Sequence, residues 1–496
     1  MKKYILTITV LFALGVAGCK KDFLSLEENP NNPSSTTPEL TLSGAEVTTA
    51  FNQATGYPQY AVWSGYWTTS GNFVPSASIQ QFQFTNTNFT GVWNALYANL
   101  ANYNNLYNTS LADPTLAKFQ AIAMIMKAYN FQALVDNFNN VPYTQAFKPT
   151  EHIFPVYDKG IDIYHDLGKQ LDAAIALINK SADAKDPGSA DVIFGGDMDA
   201  WKKFANTIKL RLAVRVSTKF PADPLIAGLA ATAGEGYLDE TLQAVTNPGY
   251  QNVLGKQSPF YGTYGLDANE NPTAGNSFYV ANAYSVNQLK SFNDPRVAKF
   301  YALTLPVGAP PTDPPSVVRG NVFGDTKNTL PNSNTSLIGK GILKSSEQDA
   351  VLISSAEALF LQAEAAQKGL IPGNAQTLYE KAITASFEAV DLTAAEAATY
   401  YSQAKVNVGW AASTNKLQAI ITQKWISLNG LNPLEAYNEY RRTGYPNLPS
   451  SIDPAAVSPT LPTRIFYPLS ELTSNPDNVG KEGEIDPFTS KIFWAK

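Results

Sequence analysis

Apolar side chains recur along this chain at intervals of three and four residues in two long stretches. Val92, Leu96, Leu100, Tyr103 and Tyr107 form one series, and Leu116, Phe119, Ile122, Met126 and Tyr129 a second. Each series lines one stripe of a helix, and such a stripe has to be buried against a neighbour. Ile161, Tyr164, Leu167, Leu171, Ile175 and Ile178 continue the pattern, followed by Trp201, Phe204, Ile208 and Leu212, which together predict two antiparallel helix pairs. After a gap the periodicity resumes with Leu352, Ala356, Leu359 and Ala363, then Tyr379 to Val390, then Leu417, Ile421, Trp425 and Leu428. Helices paired in this way predict a mostly α, tetratricopeptide-like scaffold over residues 92–220 and 349–445. No strict period of roughly 34 residues accompanies it.

The interruptions carry as much information. Between Tyr237 and Ser346 the chain is rich in Gly, Pro, Asn and Tyr, with the run Val307-Gly308-Ala309-Pro310-Pro311-Thr312-Asp313-Pro314-Pro315 and a single helical pattern at Val280 to Phe292. An irregular stretch this long persists in a compact body mainly where it functions. It therefore predicts a loop-rich ligand lobe at 237–346 inserted in the helical scaffold. Gln53 to Phe89 is similar and carries Trp63, Tyr66, Trp67 and Phe73 among Gly, Ser and Thr. Prolines recurring from Pro446 to Pro487 predict that residues 446–496 wrap the helices as irregular chain, so that 51–496 form a single unit.

The first residues follow different rules. Lys2 and Lys3 precede an apolar run from Tyr4 to Val16, which is too short to span a bilayer and reads as an export signal over residues 1–18. The run ends in Val16-Ala17-Gly18-Cys19, where small residues admit a signal peptidase and the only cysteine of the chain offers a thiol for lipid. This resembles the lipobox of bacterial lipoproteins. Acyl chains contribute about 0.8 kcal/mol per buried CH₂, so several of them hold a protein at a membrane durably. Residues 19–50 then read as a lipidated tether leading into the body, extended where Asn, Pro and Ser dominate from Asn29 to Ser35.

Composition narrows the function. A formal net charge of -6, with 36 Lys and Arg against 42 Asp and Glu, leaves no electrostatic footprint for nucleic acid. With one cysteine and two histidines, Cys19, His152 and His165, the chain cannot build a Cys₂His₂ zinc site, an iron–sulfur cluster or an internal disulfide, and no cofactor is implied. Catalytic motifs fail as well. No G-x-S-x-G elbow occurs, and Gly249 to Lys256 misses a P-loop by one residue between its glycines, with Gln257 where Ser or Thr would bind magnesium. Asp267-Ala268-Asn269-Glu270-Asn271 begins like a calcium loop, but Pro272 replaces the turn glycine and Phe278 the bidentate glutamate. Asp197 and Asp199 precede a helix and are accounted for by capping. Any enzyme here would have to work with carboxylates alone, as glycosidases do.

A family resemblance rests on motifs spread in order over most of the chain. Cys19 is followed by Asp22-Phe23-Leu24; Ala128-Tyr129 leads into Leu134-Val135-Asp136-Asn137-Phe138-Asn139-Asn140-Val141-Pro142-Tyr143; Pro155-Val156-Tyr157-Asp158 precedes Leu171-Asp172-Ala173-Ala174-Ile175. Gly196-Asp197 then leads to Trp201-Lys202-Lys203-Phe204-Ala205-Asn206-Thr207-Ile208-Lys209-Leu210-Arg211-Leu212-Ala213. Next come Asn293-Asp294-Pro295-Arg296, Ala356-Glu357-Ala358-Leu359-Phe360-Leu361-Gln362-Ala363-Glu364-Ala365 and Gln423-Lys424-Trp425. Glu439-Tyr440-Arg441-Arg442-Thr443-Gly444-Tyr445-Pro446 and Arg464 with Tyr467-Pro468 complete the series. The chain resembles the SusD/RagB-family outer-membrane lipoproteins of the Bacteroidetes, in the SusD-like subgroup distinct from the starch-binding prototype. Phe138-Asn139-Asn140-Val141-Pro142-Tyr143 departs from the more usual Tyr-Gly-Asp-Val-Pro-Tyr at a turn. By spacing alone, Trp201, Phe204 and Ile208 face a core, while Glu357 and Glu364 share one side of a helix and can pair with Arg441, Arg442 or Lys424.

The resemblance implies a protein on the outer membrane, facing the cell exterior, that captures a nutrient and passes it to a SusC-like TonB-dependent transporter, on which it sits as a lid. An oligosaccharide fits the composition, because glycans present C–H faces and hydroxyl rims to exposed rings flanked by Asn, Gln and Ser. A peptide ligand is the other choice within the family. A carboxylate-dependent glycoside hydrolase on a helical scaffold and a pure protein-interaction scaffold are the rivals from other classes. The expected ligand site is Trp63, Tyr66, Trp67 and Phe73 with Tyr261, Tyr264 and Tyr279 from the inserted lobe. Trp63 and Trp67 are four apart, so on a helix or tight turn their indoles share a face.

Overall fold

A computed structural model describes residues 36–496. The export signal, Cys19 and the tether Asn29–Ser35 lie outside the described residues. The first helix, α1 (Pro38–Thr55), starts at a Thr37 N-cap and a proline in its first turn, within the segment whose apolar periodicity singles out no element. A short α2 (Pro58–Trp63) and strand β1 (Trp67–Thr69) follow.

The scaffold then runs as expected through α3 (Thr90–Leu111), α4 (Ala117–Phe138), α5 (Gly160–Lys180) and α6 (Met198–Ser217), each packed on its neighbour in sequence. Helix α4 is apolar on nearly every side and is buried accordingly, with α1, α3, α5 and α6 around it. Helix α5 is strongly amphipathic and turns Ile163, Tyr164, Leu167, Leu171, Ile175 and Ile178 inward. At the start of α6 the Asp197 carboxylate accepts the backbone N–H groups of Asp199 and Ala200 at 2.9 and 3.0 Å, so that aspartate is a cap.

The inserted segment carries β2 (Ala244–Thr246), a short α7 (Pro259–Tyr264), β3 (Tyr279–Ala281) and α8 (Ala283–Ser291). It returns to the scaffold at β4 (Ala350–Ile353). Two antiparallel strand pairs sew it down. In one, Trp67, Thr68 and Thr69 of β1 face Ala281, Val280 and Tyr279 of β3; in the other, β2 pairs with β4 across a register irregularity at Ala244/Val245. Helices α9 (Ser355–Gln367), α10 (Ala375–Glu388), α11 (Ala394–Tyr401), α12 (Lys416–Ser427) and α13 (Pro433–Thr443) complete the scaffold. The last ends in Gly444 at φ 81, the left-handed C-terminal position that glycine occupies without steric cost.

Where α4, α6, α9, α12 and α13 converge, the core is ionic. Arg442 grips Glu364 through two bonds of 2.7 Å and also pairs with Glu439, which in turn holds Lys424 at 2.6 Å. Arg215 joins Asp136 to Glu435, and Arg211 bonds Glu357 at 2.6 Å. The Arg442 pairing with Glu364 is one of those the spacing allows; Glu357 instead takes Arg211 from α6. All of these side chains are buried. The C-terminal chain closes over this region: Trp494 Nε1 donates to Asp136 at 3.0 Å, and Tyr467 Oη donates to the carbonyl of Asn140 at 2.7 Å just past the end of α4. The Arg464 guanidinium bonds the Phe138 carbonyl, placing a cation at a helix C-terminus. Among the described residues no helix is long and apolar enough to cross a membrane.

Candidate functional site

The seven rings expected to form a ligand platform divide sharply. Trp63, Tyr66, Trp67 and Tyr264 are at most 3% exposed and belong to the core, so they offer no face to a ligand. The reason is local. Helix α2 ends at Trp63, Gly65 reverses the chain at φ 74, and Trp67 enters β1, so the two indoles point into different packing environments instead of sharing a face. Trp63 sits among Tyr60, Phe82, Phe84, Phe89 and Tyr437, and its Nε1–H donates to the Ile79 carbonyl at 2.9 Å. Trp67 packs on Phe260, Tyr264 and Tyr279. Tyr66 stacks on Trp425 with 5.2 Å between ring centroids and donates its hydroxyl to the Trp425 carbonyl.

Phe73 is different: it is 42% exposed. Its ring meets Phe278 edge-on at 5.4 Å, and Phe278 meets Tyr279 at 4.9 Å, so a chain of rings runs from the surface down to the Trp67 cluster. Tyr279 is half-buried, and burial pushes its phenol up to about 12. Tyr261 is half-buried on α7 and does not line the cleft described next. Of the seven rings only Phe73 lines that cleft; Tyr279 is linked to it through Phe278, and neither Tyr279 nor Tyr261 is among the lining residues.

The turn that carries Phe73 is stapled to the inserted lobe. Ser70 N–H donates to the Phe278 carbonyl and Gly71 N–H to the Leu330 carbonyl, both at 2.9 Å. The Asn332 N–H donates to Asn72 Oδ1 at 2.8 Å. A Cβ on Gly71 would come within 2.7 Å of the Thr329 carbonyl oxygen, so this close approach requires glycine. Between this turn and the lobe opens a cleft of about 280 Å³, lined by Phe73, Thr68, Thr69 and Ser70 on one side and by Val322, Asp325, Lys327 and Thr329 on the other. Gln80 and Gln81 close its end, and both amide groups donate to one oxygen of buried Asp453, at 3.4 and 3.2 Å. The Asp325 carboxyl is held below its usual range by hydrogen bonds from the backbone N–H groups of Asn328 and Lys327, at 2.9 and 2.8 Å.

The arrangement is one exposed ring beside amides, hydroxyls and a single carboxylate that stays ionised. It can stack on an apolar face and bond the rim of a polyhydroxylated molecule. Sequence reasoning reached Phe73 and missed Gln80, Gln81, Asp325 and Lys327. The adjacent glutamines next to an aromatic-rich stretch were the one available signal; Asp325 and Lys327 lie far along the chain and meet Phe73 only through the fold. Asp267, which opens the calcium-like run, spends its carboxylate on the N–H groups of Asn269 and Asn271 at 2.8 and 2.9 Å.

Comparisons with known proteins agree with this architecture. A family model of SusD-like proteins, described as "Starch-binding associating with outer membrane", matches residues 30–468. Among solved structures, a chitin-binding protein superposes with a TM-score of 0.77 at 25% identity, covering 92% of this chain and 100% of its own. A chitin-binding SusD homologue from Flavobacterium johnsoniae gives 0.75 at 25% identity, covering 91% and 98%. A SusD homologue from Bacteroides uniformis, at 23% identity, gives a TM-score of 0.75 over 93% of this chain and 100% of that one and shares the fold. No curated protein matches. With a match that spans most of its length and a helical-pair scaffold interrupted by an irregular lobe, this chain belongs to the SusD-like family.

Proposed function

We propose that this protein captures an extracellular oligosaccharide in the Phe73 cleft and hands it to a SusC-like TonB-dependent transporter, held at the outer membrane through lipid on Cys19. The observation that carries the reading is the exposed Phe73 ring over a polar, open cleft. An apolar ring in that setting is stable only at modest cost and gains when a sugar face covers it. The chitin-binding relatives support a glycan over other nutrients, and the family's description associates it with the outer membrane.

Binding without bond cleavage fits the acidic groups. Asp325 is the one carboxylate lining the cleft among the described residues, and glycoside hydrolysis needs a second at roughly 5–10 Å. Its depressed pKa also suits an anion better than a proton donor. The buried carboxylates of α4, α9 and α13 are committed to arginine and lysine. Titration calorimetry of the mature protein with chitooligosaccharides and maltooligosaccharides tests the reading. Saturable binding that Phe73→Ala weakens supports it, and binding that this substitution leaves untouched places the site elsewhere.

A further inference from the structure

A second cleft, sharing no lining residue with the first, has a volume of about 360 Å³. It forms where the turn after α12, Asn429–Leu431, meets β4 and the loop 341–349. Gly430 stands at φ +76, and a Cβ there would come within 2.4 Å of the Ile342 side chain, so the close approach that shapes the wall depends on glycine. Phe260 and Phe300 line it only at the edge of the core, at 6% and 2% exposure.

Two buried polar groups at this place have no protein partner among the described residues. Asn429 is 1% exposed; its Nδ2 donates to Tyr301 Oη at 3.1 Å. The hydroxyl proton of Tyr301 is directed to the Tyr66 carbonyl or to Ser285 Oγ, at 2.9 and 2.7 Å. Tyr301 is therefore an acceptor toward Asn429, the amide is oriented, and Asn429 Oδ1 is left unpaired. Beneath the cleft, sharing Ala54, Phe260, Gly430 and Leu431 with it, a chamber of about 10 Å³ reaches Trp67, whose Nε1–H is unpaired as well. The chamber holds at most a water, whereas the unpaired amide oxygen belongs to Asn429, which lines the larger cleft and calls there for a hydrogen-bond donor.

The mouth adds charge. Glu347 and Asp349 line it, and both are exposed. The one lining cation, Lys344, is already paired with Asp391 at 3.1 Å. Asp349 accepts only a neutral bond, from Asn247 at 2.8 Å. The opening is therefore net negative, with an unpaired acceptor in its wall.

We propose that this cleft is a second binding site, for a small hydroxylated amine of monosaccharide size. A hydroxyl donates to Asn429 Oδ1, and the ammonium sits at the mouth with Glu347 and Asp349. The site is independent of the Phe73 cleft and stands whether or not that cleft takes a glycan.

The test uses glucosamine as probe and glucose as its neutral counterpart, titrated by NMR into the mature protein at about pH 6, where the amine is charged. Glucosamine is expected to bind about tenfold more tightly than glucose, the weight of one charge-assisted hydrogen bond. The double variant Glu347→Gln with Asp349→Asn, confined to exposed positions, is expected to remove that preference. Ala389→Trp, at an exposed lining position, is expected to abolish binding of both by filling the mouth. The absence of glucosamine binding, equal affinity for the two sugars, or affinity that neither variant changes overturns the proposal. Loss of glucosamine binding in Phe73→Ala overturns it too, since the two clefts would then be one site.

Discussion

At the scale of single residues, the aromatic side chains separate into two kinds that look identical in the sequence. Trp63 spends its N–H on a backbone carbonyl and its faces on five neighbouring rings. Trp63→Ala should therefore cost about 3–5 kcal/mol of stability, read as a shift in denaturant midpoint, by leaving a cavity that the surrounding rings cannot fill. Phe73, at 42% exposure and packed edge-on against Phe278, has less burial to lose. Phe73→Ala should leave the denaturation midpoint nearly unchanged and lower oligosaccharide affinity by at least about 1 kcal/mol, roughly fivefold. A Phe73→Ala variant that unfolds early would show that the ring is a structural plug and not a platform.

At the scale of elements, the helices are locked together by charge as well as by apolar contact. Arg442 on α13 neutralises Glu364 on α9 and Glu439 on its own helix, with both partners buried. Removing it in Arg442→Met leaves each buried carboxylate with a single lysine, Lys368 at Glu364 and Lys424 at Glu439, and should destabilise the fold by about 3 kcal/mol. The same network sets an acid limit. The arginines Arg215 and Arg211 outweigh burial at Glu435 and hold its carboxyl down to about 2, and Arg442 with Lys424 lowers Glu439 further. A carboxylate whose folded pKa lies below its unfolded value near 4.5 contributes stability that is complete above that value. That stability is lost as pH falls toward about 2. Burial pushes Asp136 and Glu357 the other way, so their protonation favours the folded state and offsets part of the loss. Burial also pushes Glu46 well above its usual range, so its protonation adds stability as pH falls from neutrality. Denaturant midpoints should hold or rise slightly down to about pH 5 and fall below about pH 4.5. Glu435→Gln should start from a lower plateau and show a shallower fall.

At the scale of the whole molecule, the scaffold and the lobe sewn to it present a body whose described helices do not cross a membrane. On the proposed reading, attachment depends on lipid at Cys19. Cys19→Ser should move the protein from the membrane pellet to the soluble fraction and remove labelling by a palmitate analogue. Retention of both would place the anchor elsewhere. A lid over a transporter has to cover a wide opening, and complexes of that kind bury about 2,000 Å² or more. Purification in mild detergent from cells with the native neighbouring genes should therefore recover a SusC-like transporter with this protein. Recovery of the body alone would defeat the lid.

The sequence by itself determined the helical scaffold and its family. Stripes such as Val92, Leu96, Leu100 and Tyr103 have to be buried wherever the chain folds, and that demand is written in their spacing. The Asp197 cap was legible because it is local, whereas for Glu364 the spacing allowed Arg441, Arg442 or Lys424 alike. Helix α1, which the apolar spacing did not single out, packs against α3 and β4. Only tertiary structure decided which partner each charge takes, as when Glu357 meets Arg211, because the facing helix depends on how several helices cross. It also decided the site. A four-residue spacing implies a shared face only within one element, and the reversal at Gly65 sends Trp63 and Trp67 into separate parts of the core. Whether a ring is platform or packing depends on what the rest of the chain lays over it, and Phe73 alone of the four early rings is left 42% exposed.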